Sequence, residues 1–153
     1  MNIRLVQNSD LDEILKLYYE NIHYVCKDDY TEEQLEAWAP KNPDKYRWEI
    51  SLRKNHALVV VENDEIIGFG DIGETGYIDR LYVRKDCLHR GVASQILDHL
   101  EKYARKKGML FLNIAASITS QPFFEARGFT TIQTLPVERR GIRMRRYLME
   151  KKL

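Results

Sequence analysis

The 153-residue chain carries only two cysteines, Cys26 and Cys87, with four prolines, eight glycines and four histidines. Two cysteines are too few for a disulfide scaffold, and neither stands at metal-ligand spacing from a histidine. A reducing compartment follows. His23, His56, His89 and His99 are scattered without ligand spacing and read as surface or capping side chains, so no metal is expected. The first residues, MNIRLVQNSDLDEIL, hold charges throughout and no apolar run of secretory or membrane type, which predicts a cytoplasmic protein with no membrane partner. Scarce Gly and Pro beside 44% hydrophobic and 31% charged residues exclude disordered and collagen-like classes. The length fits one domain spanning residues 1–153.

Strong net charge is lacking too: the total is +1. It conceals a gradient, since residues 1–50 carry 6 Lys and Arg against 11 Asp and Glu, while residues 139–153 carry 7 against 1. Opposed ends of this kind are either two solvated faces or a steering field for a charged ligand.

Apolar residues at three- and four-residue steps predict an amphipathic helix over 10–25, with Ser9 as its cap. Thr31 followed by Gln34 is a capping-box pattern opening a short helix that ends near Pro40, and a further helix follows Pro43. Together these make a helical insert over about 10–54. Residues 57–62 and 66–72 read as a hairpin about Asn63-Asp64-Glu65, and Gly73 to Gly76 turn the chain into a third strand over 77–83. A long amphipathic helix over 91–107, a strand over 110–115, a short helix over 120–127 and strands over 129–132 and 142–149 complete the chain. A parallel crossover through the long helix sets the strand at 110–115 beside that at 77–83. The fold class is α/β with an α+β-like mixed sheet, mostly antiparallel, and helices on both faces.

The chemistry concentrates in YIDRLYVRKDCLHRGVASQIL, residues 77–97, where a strand runs through a charged loop into Arg90-Gly91-Val92-Ala93. Gly91 and Ala93 remove side chains where a ligand must approach main-chain N–H groups, and the helix N-terminus adds unpaired donors and partial positive charge. That is an anion site suited to a diphosphate. Neither the Rossmann glycine triplet nor the P-loop lysine is present.

This stretch resembles the acetyl-CoA-binding motif of the GCN5-related N-acetyltransferase (GNAT) superfamily, which reads Gln or Arg, two residues, Gly, one residue, then Gly or Ala. Gly91 and Ala93 match it, while Leu88 stands at the Gln/Arg position. A second block, AASITSQPFFEARGF over 115–129, is similar to the family's strand-to-helix segment. The resemblance spans the order of elements from Met1 to Leu153. It implies acetyl-CoA as co-substrate and a splay between the two parallel strands. Main-chain groups of Leu81 and Val83 would hold the pantetheine, and the amides of Leu88, His89, Arg90, Gly91, Val92, Ala93 and Ser94 the diphosphate. Ser117 would bond the cofactor's amide or phosphate, and Phe123 and Phe124 would pack on the pantetheine. Many members have tyrosine as a general acid where Phe124 stands, but a thiol of pKa ~8.5 leaves as thiolate with little help.

Acyl transfer to an amine also needs a base. Candidates are Asp79 and Tyr77, placed on one strand face beside the thioester, and Tyr30 from the insert, acting through water. Asp79 next to Arg80 reads equally as a structural ion pair, and Tyr30 equally as a hydrophobic cap. Cys87 reads as a loop or packing residue. Arg139, Arg140, Arg143, Arg145 and Arg146 surround a hairpin turn at Gly141 and read as a charged, solvated sheet edge rather than a nucleic-acid surface. Three functions remain open. The favoured one is acetyl transfer to a primary amine of a small molecule or peptide; the others are a catalytically weak CoA-binding module and an arginine-rich nucleic-acid binder. The net −5 of residues 1–50 predicts a cationic acceptor. A monomer and a homodimer fit equally.

Overall fold

Asn63 and Asp64 both take left-handed backbone, with φ of 52° and 62°, the two-residue turn whose twist matches a hairpin. They join β2 (His56–Glu62) to β3 (Glu65–Ile72), and β4 (Tyr77–Val83) follows antiparallel to β3. A computed structural model describes residues 1–153. Before this meander lie β1 (Asn2–Leu5), α1 (Leu11–Val25), α2 (Glu32–Trp38) and α3 (Lys45–Lys54). After it come α4 (Val92–Lys106), β5 (Phe111–Ser117), α5 (Gln121–Ala126), β6 (Thr130–Arg139) and β7 (Ile142–Lys152). All seven strands form one sheet in the order β1-β2-β3-β4-β5-β7-β6, and only β4 and β5 run parallel.

Apolar spacing decides which face each helix covers. Val92, Ile96, Leu97, Leu100 and Ala104 of α4 are buried against Val60, Ile72, Ile78 and Leu112 on one face of the sheet. Leu11, Ile14 and Leu15 of α1, with Leu52 of α3, cover Val59 and Phe69 on the other. Two glycines of β3 set how close α4 comes. A Cβ on Gly68 would lie 2.8 Å from Val92 Cγ1, and one on Gly70 would lie 2.7 Å from Ile96 Cγ2, so the helix rests on bare backbone.

Several boundaries differ from the sequence expectation. Ser9 is not the cap of α1: residues 8–10 form a 3₁₀ turn, and Asp10 accepts hydrogen bonds from the Gln7 amide (2.7 Å) and both terminal nitrogens of Arg4 (2.8 and 3.0 Å). β5 runs on to Ser117, and the β6–β7 hairpin is far longer than expected. Pro136 lies within β6 because that strand is the sheet's outer edge, where a missing N–H costs no ladder bond. The arginine-rich hairpin carries that edge, with Arg139, Arg140, Arg143 and Arg145 exposed, and it also folds back over the insert. Tyr30 donates its phenol to the Arg145 carbonyl (2.8 Å), Gln34 Nε2 donates to the Arg143 carbonyl (2.9 Å), and Met144 is buried among Ile22, Leu35 and Trp38.

Two features of β4 decide the rest. Asp71 faces Arg80 while Ile72 faces Ile78, so Asp79 is an extra residue with no partner on β3, a β-bulge that bends the strand. Pairing with β5 is confined to Tyr77 with Asn113 and Ile78 with Ile114, and stops at the bulge. Beyond it the two parallel strands diverge. The bulge is held from one side by the buried pair Asp71–Arg80, in which Arg80 Nε also lies 3.1 Å from Asp71 Oδ1, and by Asn55 Nδ2, which donates to both Asp71 and Asp79. Arg80 therefore pairs with Asp71 across the sheet and not with its neighbour Asp79. Asp71→Asn leaves that guanidinium buried without a counter-charge, and a urea titration is expected to show about 3–5 kcal/mol less stability than the parent. A loss below about 1 kcal/mol would mean that the pair does not hold the bulge.

Candidate active site

The divergence of β4 and β5 opens a wedge-shaped pocket of about 170 Å³. Leu81, Val83, Leu88, Ala93, Ala116, Phe123 and Phe124 line it, so its walls are mostly apolar. Strand alternation fixes which main-chain groups face it. The Arg84 amide donates to the Ile67 carbonyl of β3 at 2.8 Å. Residues two apart point the same way, so Leu81 and Val83 turn their N–H and C=O groups away from β3 and into the wedge. One of these is already used: buried Asn21 of α1 donates to the Val83 carbonyl at 2.6 Å. An extended amide chain can pair with the Leu81 groups and the Val83 N–H.

At the wider end the chain enters α4 through left-handed residues, His89 at φ 60° and Gly91 at φ 81°. The main-chain N–H groups of Leu88, His89, Gly91, Val92, Ala93 and Ser94 have no acceptor in the protein, whereas the Gln95 amide donates to the Gly91 carbonyl. Those of Val92, Ala93 and Ser94 are the orphan donors of a helix start and carry its positive end. Side chains here turn elsewhere. Arg90 pairs with Glu62 (2.8 Å), Val92 is buried in the core, and Leu88 packs into the wedge, which explains how an apolar residue is accommodated at its position. Arg127, which no sequence motif marks, bonds the Ser94 hydroxyl with its guanidinium and lies 5.6 Å over the Phe123 ring, adding a cation beside the helix start. Ser117 is turned to its own loop, accepting from the Ser120 amide (3.0 Å) and bonding its hydroxyl (2.9 Å). Phe124 is buried edge-on to Phe129, 5.2 Å between ring centres, and only Phe123 is left partly exposed.

The other end of the wedge opens into a cleft of about 810 Å³ between the insert, β4 and the β6–β7 hairpin. Trp38, Asp79, Arg80, Tyr82 and Arg146 line both spaces and mark where they meet. Of the three candidate bases, the structure brings only Asp79 to that junction. Tyr30 lies behind it, its phenol donating to the Arg145 carbonyl and accepting from the Ile118 amide (2.9 Å), and burial raises its pKa. Tyr77 sits at the closed apex of the wedge, where burial and the neighbouring Asp79 charge raise its pKa. The Cys26 thiol lines the wedge, and burial raises its pKa as well, so it stays protonated and weakly nucleophilic.

The expectation of a negative acceptor side is overturned. The cleft is lined by Lys16, Lys41, Lys45, Arg47, Arg80, Arg139, Arg140 and Arg146 against only Asp12, Asp44 and Asp79. Most acids of residues 1–50 face elsewhere, and the hairpin carries its arginines across to the cleft.

Residues 26–152 match the family model of the acetyltransferase (GNAT) domain. YafP of Escherichia coli strain K12, described as an uncharacterised N-acetyltransferase, is 34% identical over 141 residues, covering 92% of this chain and 89% of that one. A crystal structure of a GCN5-related N-acetyltransferase from Rhodopseudomonas palustris superposes with a TM-score of 0.96 at 30% identity, covering 99% of this chain and 95% of the other. The PaiA N-acetyltransferase of Thermoplasma acidophilum, solved with coenzyme A, shares the fold at a TM-score of 0.81 and 20% identity, over 99% and 98% of the two chains. A sheet split at one parallel pair, with unpaired amides at the following helix start, thus defines a GNAT domain, and the chain belongs to that family. It is an acetyl-CoA-dependent N-acetyltransferase.

Gly91 separates two effects in a test. A Cβ there meets no neighbouring atom, so its substitution costs only the left-handed backbone, about 1 kcal/mol. Gly91→Ala should lose that much stability and bind coenzyme A only a few-fold more weakly, since a single methyl group stands where the ligand approaches the amides. Gly91→Asp should weaken binding in calorimetry by about 100-fold or more, because a carboxylate then stands where the diphosphate is expected.

Proposed function

We propose that this enzyme acetylates a primary amine, on a small molecule or a peptide, by direct attack on acetyl-CoA with both substrates bound. The observation that carries this reading is the meeting of the wedge and the cleft at Asp79. The wedge takes the pantetheine as an added strand against Leu81 and Val83, with Phe123 and Phe124 behind it. The amides from Leu88 to Ser94, with Arg127 beside them, take the diphosphate at the far end. This arrangement brings the thioester to the junction, and an amine entering from the cleft meets it there with the orientation set in advance.

Asp79 is the only carboxylate shared by the two spaces, which supports it as the base. Asn55 holds it from one side. As the nitrogen bonds to the carbonyl carbon it becomes cationic and its proton strongly acidic, so a carboxylate is basic enough to remove it. The C–N bond forms, the C–S bond breaks, the proton passes to Asp79, and coenzyme A leaves as a thiolate that is protonated by water. The tight phenol bonds of Tyr30 and the high pKa of Tyr77 favour structural roles for both. The buried, protonated Cys26 supports transfer without an acyl-enzyme.

Asp79→Asn keeps the shape and the partner Asn55 while removing the base. Its kcat is expected to fall by about 100-fold with a smaller change in amine KM, and activity of the parent should climb with pH through the neutral range as free amine replaces ammonium. Full turnover by Asp79→Asn in a thiol-release assay would remove Asp79 from the mechanism.

A further inference from the structure

The guanidinium of Arg146 makes no hydrogen bond and no ion pair within the protein. Its Nε and Nη2 are shut off from solvent and have no partner, while its carbon lies 4.4 Å over the Trp38 ring. Such a group is costly unless something pairs with it. Other part-buried arginines have partners: Arg4 with Asp10, Arg80 with Asp71, Arg84 with Glu65 and Asp86, and Arg127 with the Ser94 hydroxyl. Arg146 stands at the junction of wedge and cleft, which Trp38, Tyr82, Arg80 and Asp79 also line.

Arg139 and Arg140 line the same cleft from the hairpin tip, again with no carboxylate partner. The cleft's own acids are occupied: Asp12 with Lys45 (3.1 Å), Asp44 with the Arg47 amide (3.2 Å), Asp79 with Asn55. The cofactor's phosphates are accounted for at the opposite end of the wedge, where none of these arginines lies. The cleft therefore holds surplus cations beside the point of acyl transfer, one of them stacked over an aromatic ring with Nη1 as the guanidinium nitrogen not shut off from solvent.

We propose that the acceptor is an anionic amine, a primary amine bearing a carboxylate or phosphate held by Arg146 with Arg139 and Arg140. Because Arg146 and Asp79 both line the junction, the acid group and the attacking nitrogen belong to one small molecule, of which an amino acid is the simplest case. This rests on the reading above that the acceptor is a primary amine, and it names its chemical class. The reaction is otherwise unchanged: the nitrogen takes the acetyl group, its proton goes to Asp79, and the acid group stays ionised on the arginines.

The test uses matched amines: phenylalanine against its methyl ester, phosphoethanolamine against ethanolamine, and spermidine as a polycation. Thiol release from acetyl-CoA is followed, together with calorimetric binding to the enzyme holding coenzyme A. The acid member of at least one pair should show kcat/KM about tenfold or more above its neutral partner, with tighter binding that weakens as salt is raised. The pair that responds tells carboxylate from phosphate. In Arg146→Gln the acid-over-ester ratio should collapse toward one with no fall in melting temperature, since an unpaired buried charge has been removed. The double variant Arg139→Gln/Arg140→Gln, at the exposed turn, should lower the same ratio if Arg146→Gln fails to fold.

Equal or better use of the ester, ethanolamine or spermidine overturns the anion assignment and leaves N-acetylation standing. An equal loss of kcat for both members in Arg146→Gln, with the ratio kept, places Arg146 on the departing thiolate and also overturns it. Absence of turnover with every amine strikes the primary-amine reading instead, and calorimetry then decides the anion question by itself: no preference for the acid members ends the proposal.

Discussion

The loss of pairing between β4 and β5 after Ile78 is the constraint on which the rest of this molecule depends. A parallel pair in mid-sheet normally bonds along its whole length, and opening it exposes main-chain groups whose burial without partners is costly. Here the cause is local. The Asp79 bulge shifts the register against β3, bends β4 away from β5, and is fastened by the buried Asp71–Arg80 pair with Asn55 bridging to Asp79. One buried ion pair thereby holds open the wedge and also sets the carboxylate that stands at its cleft end. Stability and chemistry share residues, so substitutions at Asp71 report on both.

Much of this architecture was legible in the sequence. The β-branched run of residues 57–62, the Asn63-Asp64 turn and the three- and four-residue steps of residues 92–104 are local patterns, and local patterns survive folding. What failed did so for long-range reasons. The sequence predicts a strand only over 129–132, and nothing in it says that β6 is the outermost one, where Pro136 costs no ladder bond. Asn21 carries no mark that separates it from other polar helix positions, and the turn of α1 takes it inward to the Val83 carbonyl, 62 residues away. Arg127 reaches Ser94 across 33 residues, and only the packed position of α5 makes that visible.

Charge was the most misleading local quantity. A sum over residues 1–50 treats that segment as one surface, but its acids spread over several faces while Lys16, Lys41, Lys45 and Arg47 turn toward the cleft. The opposite end of the chain then crosses over. Tyr30 and Gln34 bind main-chain carbonyls of β7, which fixes the hairpin against the insert and delivers Arg139, Arg140 and Arg146 to the acceptor side. The segment these arginines meet is negative in sum; the space the two enclose is positive. The contact between them is made by the Tyr30 and Gln34 bonds to main-chain carbonyls and by an apolar cluster, with no ion pair across it, so the hairpin's charge is left to line the gap.

The two ends of the wedge differ in the polar groups they present, and that difference governs what a sequence can disclose. At the α4 end the unpaired groups are backbone amides, available in any chain, so their only written trace is the small side chains of Gly91 and Ala93. At the cleft end the polar groups are side chains drawn from α1, α3, β4 and the β6–β7 hairpin, and no stretch of sequence brings them together. Arg146 illustrates the consequence. In the sequence it is one of five arginines around a turn; in the structure it is the one whose buried nitrogens lack a partner. Backbone recognition by α4 fits a cofactor whose diphosphate never changes, whereas recognition by side chains on an insert and a hairpin can be rebuilt residue by residue for a new acceptor without disturbing the sheet that splits between them.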